Sequence, residues 1–499
     1  MNNNDNNNTT ILVIPFPAQG HLNQFLHLSL RLATSGHFSS VHFAGSSIHI
    51  LQIISRFQGW PSSSLFTLHI HHFPLPPFST PPPNPSSIFS DHLLPLFHSL
   101  YHLQPSLSSL LHSLSSSSKR LIVIHDPLMS FAAKQALSLE TSTHIQVFKF
   151  ICSPCFYHLS FLPNKTSSDL VLKQFPGCLS DTFLEFRNSG HDDKDAVEDG
   201  FIINSCEAIE GAIIEDFRRA KAGKRVFAVG PVHPLVDLGR ARRSEGLFAP
   251  SFPSLILLVH TQIWVCTKSG SDPHALGITP SIQTLPECLD WLDKQVDKNV
   301  LYVAFGTTSM MSDEQIEELA IGLEKSEQKF IWVLRDADGG DVTADEQNAD
   351  KRRRKLPQGY EERLKGVGIV VRDWVPQLEI LAHKAIGAFM SHCGWNSCME
   401  SLSFGVPILA WPMHSGQPRN ATCLSEYLKV GFMVRDWEHR MEVVSSMVIV
   451  EVVKRLMVSD EGMEVKKRAR ELGEQIRVGV SHGGSSWKEM QSFISYIST

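Results

Sequence analysis

The stretch FMSHCGWNSCMES places His392, Cys393, Trp395, Asn396, Ser397 and Glu400 where an apolar run becomes a helix. Gly394 lets the backbone turn tightly there. The first N–H groups of the helix that follows have no internal partners, so they form a site for an anion such as phosphate. His392, Asn396 and Ser397 add side-chain donors at the same point. Glu400 lies one turn beyond Asn396 on the same face. A carboxylate there repels phosphate but accepts the hydroxyls of a ribose. Upstream, Trp374 offers a flat face on which a base can stack, an interaction of about 1–3 kcal/mol. Gln377, three residues on, can reach a base edge. Singly, each residue type is ordinary in a core or a cap. In this order they describe a nucleotide site.

A second constellation lies in the N-terminal half. His21 sits where the first strand becomes a helix, and Asp126 ends the strand RLIVIHD. A carboxylate bonded to one imidazole nitrogen fixes the tautomer and stabilises the imidazolium formed when the other nitrogen takes a proton. Such a pair is a general base for a hydroxyl nucleophile, typically about 10²–10⁴ in rate. His125 is the competitor, but in a strand it points to the face opposite Asp126.

The elements that must position these groups alternate strand and helix. TTILVIPFP reads as a buried strand, β-branched, continuous and closed by prolines. The helix after it carries Leu22, Phe25, Leu26, Leu30 and Ala33 on one face and stops at Gly36. VHFAG, RLIVIHD and RVFAVGP are further strands. The alternation restarts with NVLYVAFG and continues through KFIWVLR, GIVVRDWVPQ, AIGAFMSH and VPILAWP. Ser312 with Gln315 and Ser486 with Glu489 read as capping boxes. The fold class is therefore α/β, two doubly wound domains with parallel sheets facing across a cleft, linked near residues 231–234. From about residue 240 to 284 the periodicity is lost, which reads as a surface insertion.

With 499 residues and a net charge of −6, the chain is long enough for several cores and gives no reason to expect nucleic acid or an anionic membrane as partner. The basic run at 351–355 reads as a solvated loop. MNNNDNNNTT has no basic, then apolar, leader pattern. The apolar run at 252–266 is too short and interrupted for a membrane span. The protein is thus expected in the cytoplasm with its nine cysteines reduced. Cys152 and Cys155 have redox-motif spacing without the surrounding pattern, and the sequons at Asn164 and Asn420 carry no weight. No G-x-G-x-x-G or Walker A motif occurs, which argues against a nicotinamide oxidoreductase or an ATPase.

Residues 374–417, beginning WVPQLEILAHKAIGAFMSHCGWNSCMES, resemble the C-terminal signature box of the plant family 1 glycosyltransferases, at its full length. The likeness extends over nearly the whole chain outside the Asn-rich tail and residues 240–284. Within that family YVAFGTTS, FIWVLRDAD, VRDWVPQLEIL and PILAWPMHSGQPRNA look most like the zeatin O-glycosyltransferases. The resemblance implies a GT-B fold of two Rossmann-like domains. Residues 9–239 would bind the acceptor, with the helix at 486–497 packing back on them. Residues 285–485 would bind a UDP-sugar, and residues 1–8 would be a disordered tail. It implies Trp374 and Gln377 on uracil, Glu400 on ribose, and Thr307, His392, Asn396 and Ser397 on the diphosphate, with Val375 and Trp395 also on the donor side. Gln417 would bind sugar hydroxyls, and His21 with Asp126 would form the base. The implied reaction inverts the anomeric carbon: an acceptor hydroxyl displaces UDP from glucose or xylose. The acceptor is a small metabolite, a zeatin-type cytokinin among the candidates. No cofactor beyond the co-substrate, no metal and no second subunit are expected.

One position departs from the family pattern. An acid usually precedes the final glutamine of the box, and Gly416 stands there. A hydrogen bond to a charged group contributes about 1.5–3 kcal/mol. Its loss raises the alternative of an impaired homologue that binds nucleotide or metabolite without efficient transfer. For the acceptor pocket, the candidate lining is FPLPPFSTPPP and SPCFYHLSF.

Overall fold

The computed structural model describes residues 8–57, 59–81, 91–162, 173–188, 198–235, 287–335 and 355–498. The insertion expected at 240–284, Asn164 and the basic run up to residue 354 lie outside the described residues.

Seven strands form the first sheet: β1 (Thr9–Ile14), β2 (Ser40–Ser46), β3 (His69–Phe73), β4 (Arg120–His125), β5 (His144–Ile151), β6 (Gly200–Ile203) and β7 (Arg225–Ala228). Their order is β3-β2-β1-β4-β5-β6-β7, and each pairing is parallel. Six more form the second sheet: β8 (Val300–Ala304), β9 (Lys329–Val333), β10 (Gly368–Val371), β11 (Ile386–Ser391), β12 (Ile408–Ala410) and β13 (Gly431–Met433). Their order is β10-β9-β8-β11-β12-β13, again parallel. Helices cover both faces of such sheets, so the central strands read as unbroken apolar runs. All six residues of β1 and all five of β8 are buried.

In each sheet the order reverses direction once. The reversal falls between β1 and β4 in the first sheet and between β8 and β11 in the second. A crevice opens beyond the carboxyl ends of the strands at such a point, and that is where ligands bind. Ile14 is level with His125, and Ala304 with Ser391. The residues just after these four strands therefore meet at the two crevices. One apolar cluster runs between the halves, joining Ile151, Phe156 and Ile203 to Trp395, Met399 and Leu424.

The two expected capping boxes are corrected. Ser312 Oγ accepts from Gln315 N at 3.2 Å, but the Gln315 side chain bonds Val444 instead of returning to the cap. The last helix starts at Ser485, so Ser486 is already inside it, and Lys488 N donates to Gly484 O. Glu489 turns away to Arg218 Nη2 at 2.9 Å and Ala228 N at 3.2 Å. It thus ties the last helix to β7 rather than capping it. Phe493, Ile494 and Ile497 of this helix lie in one apolar cluster with Phe148 and Phe227 of the first sheet. Among the described residues, no helix is long and apolar enough to cross a membrane.

Candidate active site

One cavity of about 580 Å³ lies between the two crevices and is lined by residues of both sheets. His21, Asp126, Thr307, Trp374, Val375, Gln377, His392, Trp395, Asn396, Ser397, Glu400 and Gln417 all line it.

His21 is in the first turn of the Gln19–Thr34 helix, which follows β1, and Asp126 directly follows β4. Nδ1 of His21 is 2.6 Å from Oδ2 of Asp126. The carboxylate is wholly buried while the imidazole is 34% exposed. Oδ1 of Asp126 accepts from Leu128 N at 2.9 Å, which fixes the carboxylate plane. Burial lowers the His21 pKa, but the charge and hydrogen bond of Asp126 outweigh it, and the net shift is upward. Nδ1–H thus points at the carboxylate, and Nε2 is the nitrogen available to a substrate. His125 faces the other way. It donates to the carbonyl of Asp126 at 2.9 Å, and burial with Lys149 nearby holds its pKa down to about 4.

Cys152 brings its sulfur within 4.8 Å of the ligand atoms of His21 and Asp126, the one such three-group cluster among the described residues. Burial and Asp126 push that thiol well up, so it stays protonated, and the other two groups are already bonded to each other. Cys155 is also buried and free, so the C-x-x-C pair is no disulfide.

Across the cavity, His392 follows β11 and sits in a crease between two glycines. A Cβ on either Gly306 or Gly394 would come 2.5 Å from its Nε2. Gly306 also has a φ of +76°, which glycine adopts freely. Burial holds His392 down to about 4, and its Nδ1 is buried without a partner. A neutral imidazole with an unused ring nitrogen can donate to a phosphate oxygen. Thr307 lies next to it in the loop after β8, and the Trp395–Ser403 helix begins at the same crease.

Side-chain directions revise several expected roles. Asn396 Nδ2 donates to Gly20 O at 2.6 Å, across the cleft, and its Oδ1 is buried without a partner. One N–H of its amide is thus spent on the His21 helix, and the second N–H is what its side chain keeps as a donor for a phosphate. Trp395 Nε1 donates to Asn204 O at 2.8 Å, and its ring is buried between the halves. Only its backbone N–H is left for a ligand. Gln377 Nε2 bonds Glu400 Oε2 at 2.6 Å and Ser397 Oγ at 3.2 Å, while Tyr302 Oη donates to its Oε1 at 3.1 Å. Both ends of this amide are therefore engaged. Gln417 Oε1 accepts from Met413 N at 2.9 Å and His414 N at 3.0 Å, and its Nε2 lies 3.4 Å from His414 Nε2, which leaves one N–H for hydroxyls. Two guanidinium groups lie over the Trp374 ring, that of Arg56 4.6 Å and that of Arg335 5.3 Å from its centroid. Arg56 also donates to Gln19 Oε1 at 3.0 Å, beside His21.

Leu93, Phe97, Tyr157, Phe161, Leu179 and Phe183 give the cavity an apolar wall. SPCFYHLSF contributes Ser153, Pro154, Tyr157, His158 and Phe161. The described part of the proline-rich loop does not reach it. The sequence reading missed Arg56, Arg335, Tyr302 and His414. Each sits in a loop or an element whose pattern carries no chemical signature. Asn420, in a sequon, is buried and bonds Cys393 O at 2.8 Å, so it is not a glycan acceptor.

Residues 7–234 match the family described as glycosyltransferase, N-terminal domain, and residues 283–456 match UDP-glucoronosyl and UDP-glucosyl transferase. The chain is 42% identical to a zeatin O-glucosyltransferase of Phaseolus lunatus, over 98% of this chain and 96% of that protein. It is 41% identical to a zeatin O-xylosyltransferase of Phaseolus vulgaris, over 99% of each. Among solved structures, TcCGT1 in complex with UDP superposes with a TM-score of 0.67 at 26% identity, covering 98% of both chains.

Proposed function

The chain belongs to the UDP-glucoronosyl and UDP-glucosyl transferase family and is a UDP-sugar-dependent glycosyltransferase of GT-B fold; from that premise we propose that it transfers glucose, with xylose as the competing donor, to a hydroxyl of a zeatin-type cytokinin. The observation that carries the chemistry is the pairing of His21 with Asp126 at one crevice, opposite His392 at the other, across a single cavity.

Nε2 of His21 takes the proton of the acceptor hydroxyl. The oxygen attacks the anomeric carbon from the side opposite the diphosphate, the bond from that carbon to the phosphate oxygen breaks, and UDP leaves. The β-glycoside forms with inversion. Asp126 stabilises the imidazolium and holds the tautomer. Charge accumulates on the diphosphate as it departs. His392, Thr307 and the first N–H groups of the Trp395–Ser403 helix meet it there, fixed before the reaction. Glu400 receives ribose hydroxyls, and Trp374 takes the uracil.

The acceptor assignment draws on the two relatives named for zeatin, on their near-complete coverage, and on the apolar wall that suits an adenine and its isoprenoid side chain. It is tested by incubating the full-length protein with UDP-glucose or UDP-xylose and a panel of hydroxylated acceptors including zeatin. Mass spectrometry of the product and UDP release are the readouts. A glycosylated zeatin, made faster than any phenolic product, is expected. Transfer to phenolics with none to zeatin would replace the acceptor class.

A further inference from the structure

The backbone does not require glycine at position 416. Its φ of −74° and ψ of −7° are right-handed helical values that any residue adopts. What a side chain there would meet is one aromatic ring, which would have to give by a few tenths of an ångström. A Cβ there would lie 3.2 Å from Cδ2 and 3.4 Å from Cε2 of Tyr157. Tyr157 comes from the other half of the chain, in the Cys155–Leu159 helix after β5. Its ring is braced edge-on by Phe161 at 5.0 Å. The start of its helix is fixed by Glu210, whose carboxylate accepts from Cys155 N and Phe156 N.

Tyr157, Gly416 and Gln417 line the same cavity. Thr308, His414 and Ser415 line it too and bond within the corner: His414 Nδ1 lies 2.8 Å from Ser415 Oγ, and its Nε2 lies 3.4 Å from both Thr308 Oγ1 and Gln417 Nε2. Gln417 has its carbonyl bonded to the N–H groups of Met413 and His414. His414 is held neutral by burial, its pKa down to about 3. The run His414-Ser415-Gly416-Gln417 contains no carboxylate.

We propose that Tyr157, filling the space left open at Gly416, faces the donor's sugar at this corner, so that the sugar is held by an aromatic wall and a single amide more than by paired hydroxyl bonds. This rests on the reading of the cavity as a UDP-sugar site. Its consequence is breadth. A site that hydrogen-bonds a hydroxyl rejects analogues lacking it by about 10⁴–10⁵, whereas an apolar pocket separates near-isosteres by only about 10–200-fold. UDP-xylose, without the hydroxymethyl group, and UDP-galactose, with one hydroxyl inverted, are therefore bound within about 200-fold of UDP-glucose.

The test is calorimetric binding of UDP, UDP-glucose, UDP-xylose and UDP-galactose to the full-length protein and three variants: Tyr157→Ala, Gly416→Asp and the double variant. Tyr157→Ala is expected to weaken UDP-glucose by up to about tenfold and leave UDP unchanged, which separates sugar contact from general damage to the fold. Gly416→Asp alone is expected to weaken UDP-glucose, because carboxylate and ring compete for one space. The double variant is expected to recover affinity relative to Gly416→Asp and to separate the three sugars more sharply. Equal loss of UDP and UDP-glucose in Tyr157→Ala, or an effect of Gly416→Asp that ignores Tyr157, overturns the proposal. Folded wild-type protein that binds UDP-glucose no better than UDP also overturns it, while leaving the nucleotide site intact. Folded wild-type protein that binds none of the four overturns the nucleotide reading itself, and the proposal with it.

Discussion

Gln377 donates through Nε2 to Oε2 of Glu400 across 2.6 Å, so the amide after Trp374 and the carboxylate in the Trp395–Ser403 helix form one unit. Burial raises the Glu400 pKa to about 7, opposed by the bond from Gln377 and helped by Glu379. A carboxyl whose folded value lies above its unfolded value of 4.5 gives stability below that value and loses it as pH rises to about 7. Ribose hydroxyls donate to the ionised form, so UDP binding draws a proton off. UDP affinity is expected to rise with pH between about 6 and 8, with proton release measurable by calorimetry in buffers of different ionisation heat. Glu400→Gln should remove the pH dependence and weaken UDP by about 1.5–3 kcal/mol. A flat profile in the wild type would place the ribose elsewhere.

The His21 pair predicts a different pH response. In the proposed reaction the neutral imidazole is the base, and Asp126 brings its pKa above 6.5 despite burial. The rate kcat/KM should therefore climb with pH through the raised value. Asp126→Asn should lower turnover by about 10²–10⁴-fold and move the acidic limb to lower pH. Stability runs the other way. The imidazolium–carboxylate pair stabilises the fold fully below pH 6.5 and is lost as pH rises through the raised value. Stopped-assay pH profiles of the wild type and the variant check the first. Urea midpoints across the same range check the second.

Much of this site was legible because a doubly wound sheet confines chemistry to four strand ends, and those ends carry His21, Asp126, Thr307 and His392. Strands buried on both faces, such as β1 and β8, announce themselves as apolar runs. β3, with His69, His71 and His72 among its five residues, does not. The directions of side chains were not legible. Asn396 finds Gly20 376 positions away, and Trp395 finds Asn204 191 positions away. No local pattern encodes a partner on the other half of the chain. Ser486 failed as a cap for the same reason, since Glu489 is claimed by Arg218 and β7.

Glu210 predicts how the acceptor wall depends on a buried acid. Its own backbone leaves the helical region, with φ −143° and ψ 38°, and its carboxylate caps the helix that carries Tyr157 and His158. Burial raises its pKa to about 7, against the N–H bonds that favour the charge. Glu210→Gln replaces one accepting oxygen with an NH₂ facing an N–H. It should cost about 1–3 kcal/mol and reduce transfer while leaving UDP affinity intact. Wild-type stability falls between pH 4.5 and about 7 as this carboxyl ionises. The glutamine variant lacks that slope, so the gap between the two should narrow as pH rises. Parallel urea curves at pH 5 and pH 8 with an unchanged gap would contradict this.

The last helix, Ser485–Ser498, gives the final prediction. It comes at the end of the chain, after all of the second sheet, yet its apolar face completes the core of the first. Phe493 meets Phe148 edge-on with ring centroids 5.2 Å apart and lies 5.2 Å from Phe227. Phe493 and Ile497 are fully buried, and Ile494 nearly so. Glu489 adds bonds to Arg218 and to the backbone of β7. Phe493→Ala should cost about 3–5 kcal/mol, the loss of transfer energy plus an unfilled cavity. Ending the chain at Gly484 should expose the face of β5 and β7 and unfold the half that holds His21 and Asp126. Limited proteolysis of the shortened chain should then cut within the first sheet, at residues 9–14 or 120–151, before the second, while residues 355–433 resist and UDP is still bound. Equal resistance of both halves would show that the first sheet needs no help from the end of the chain.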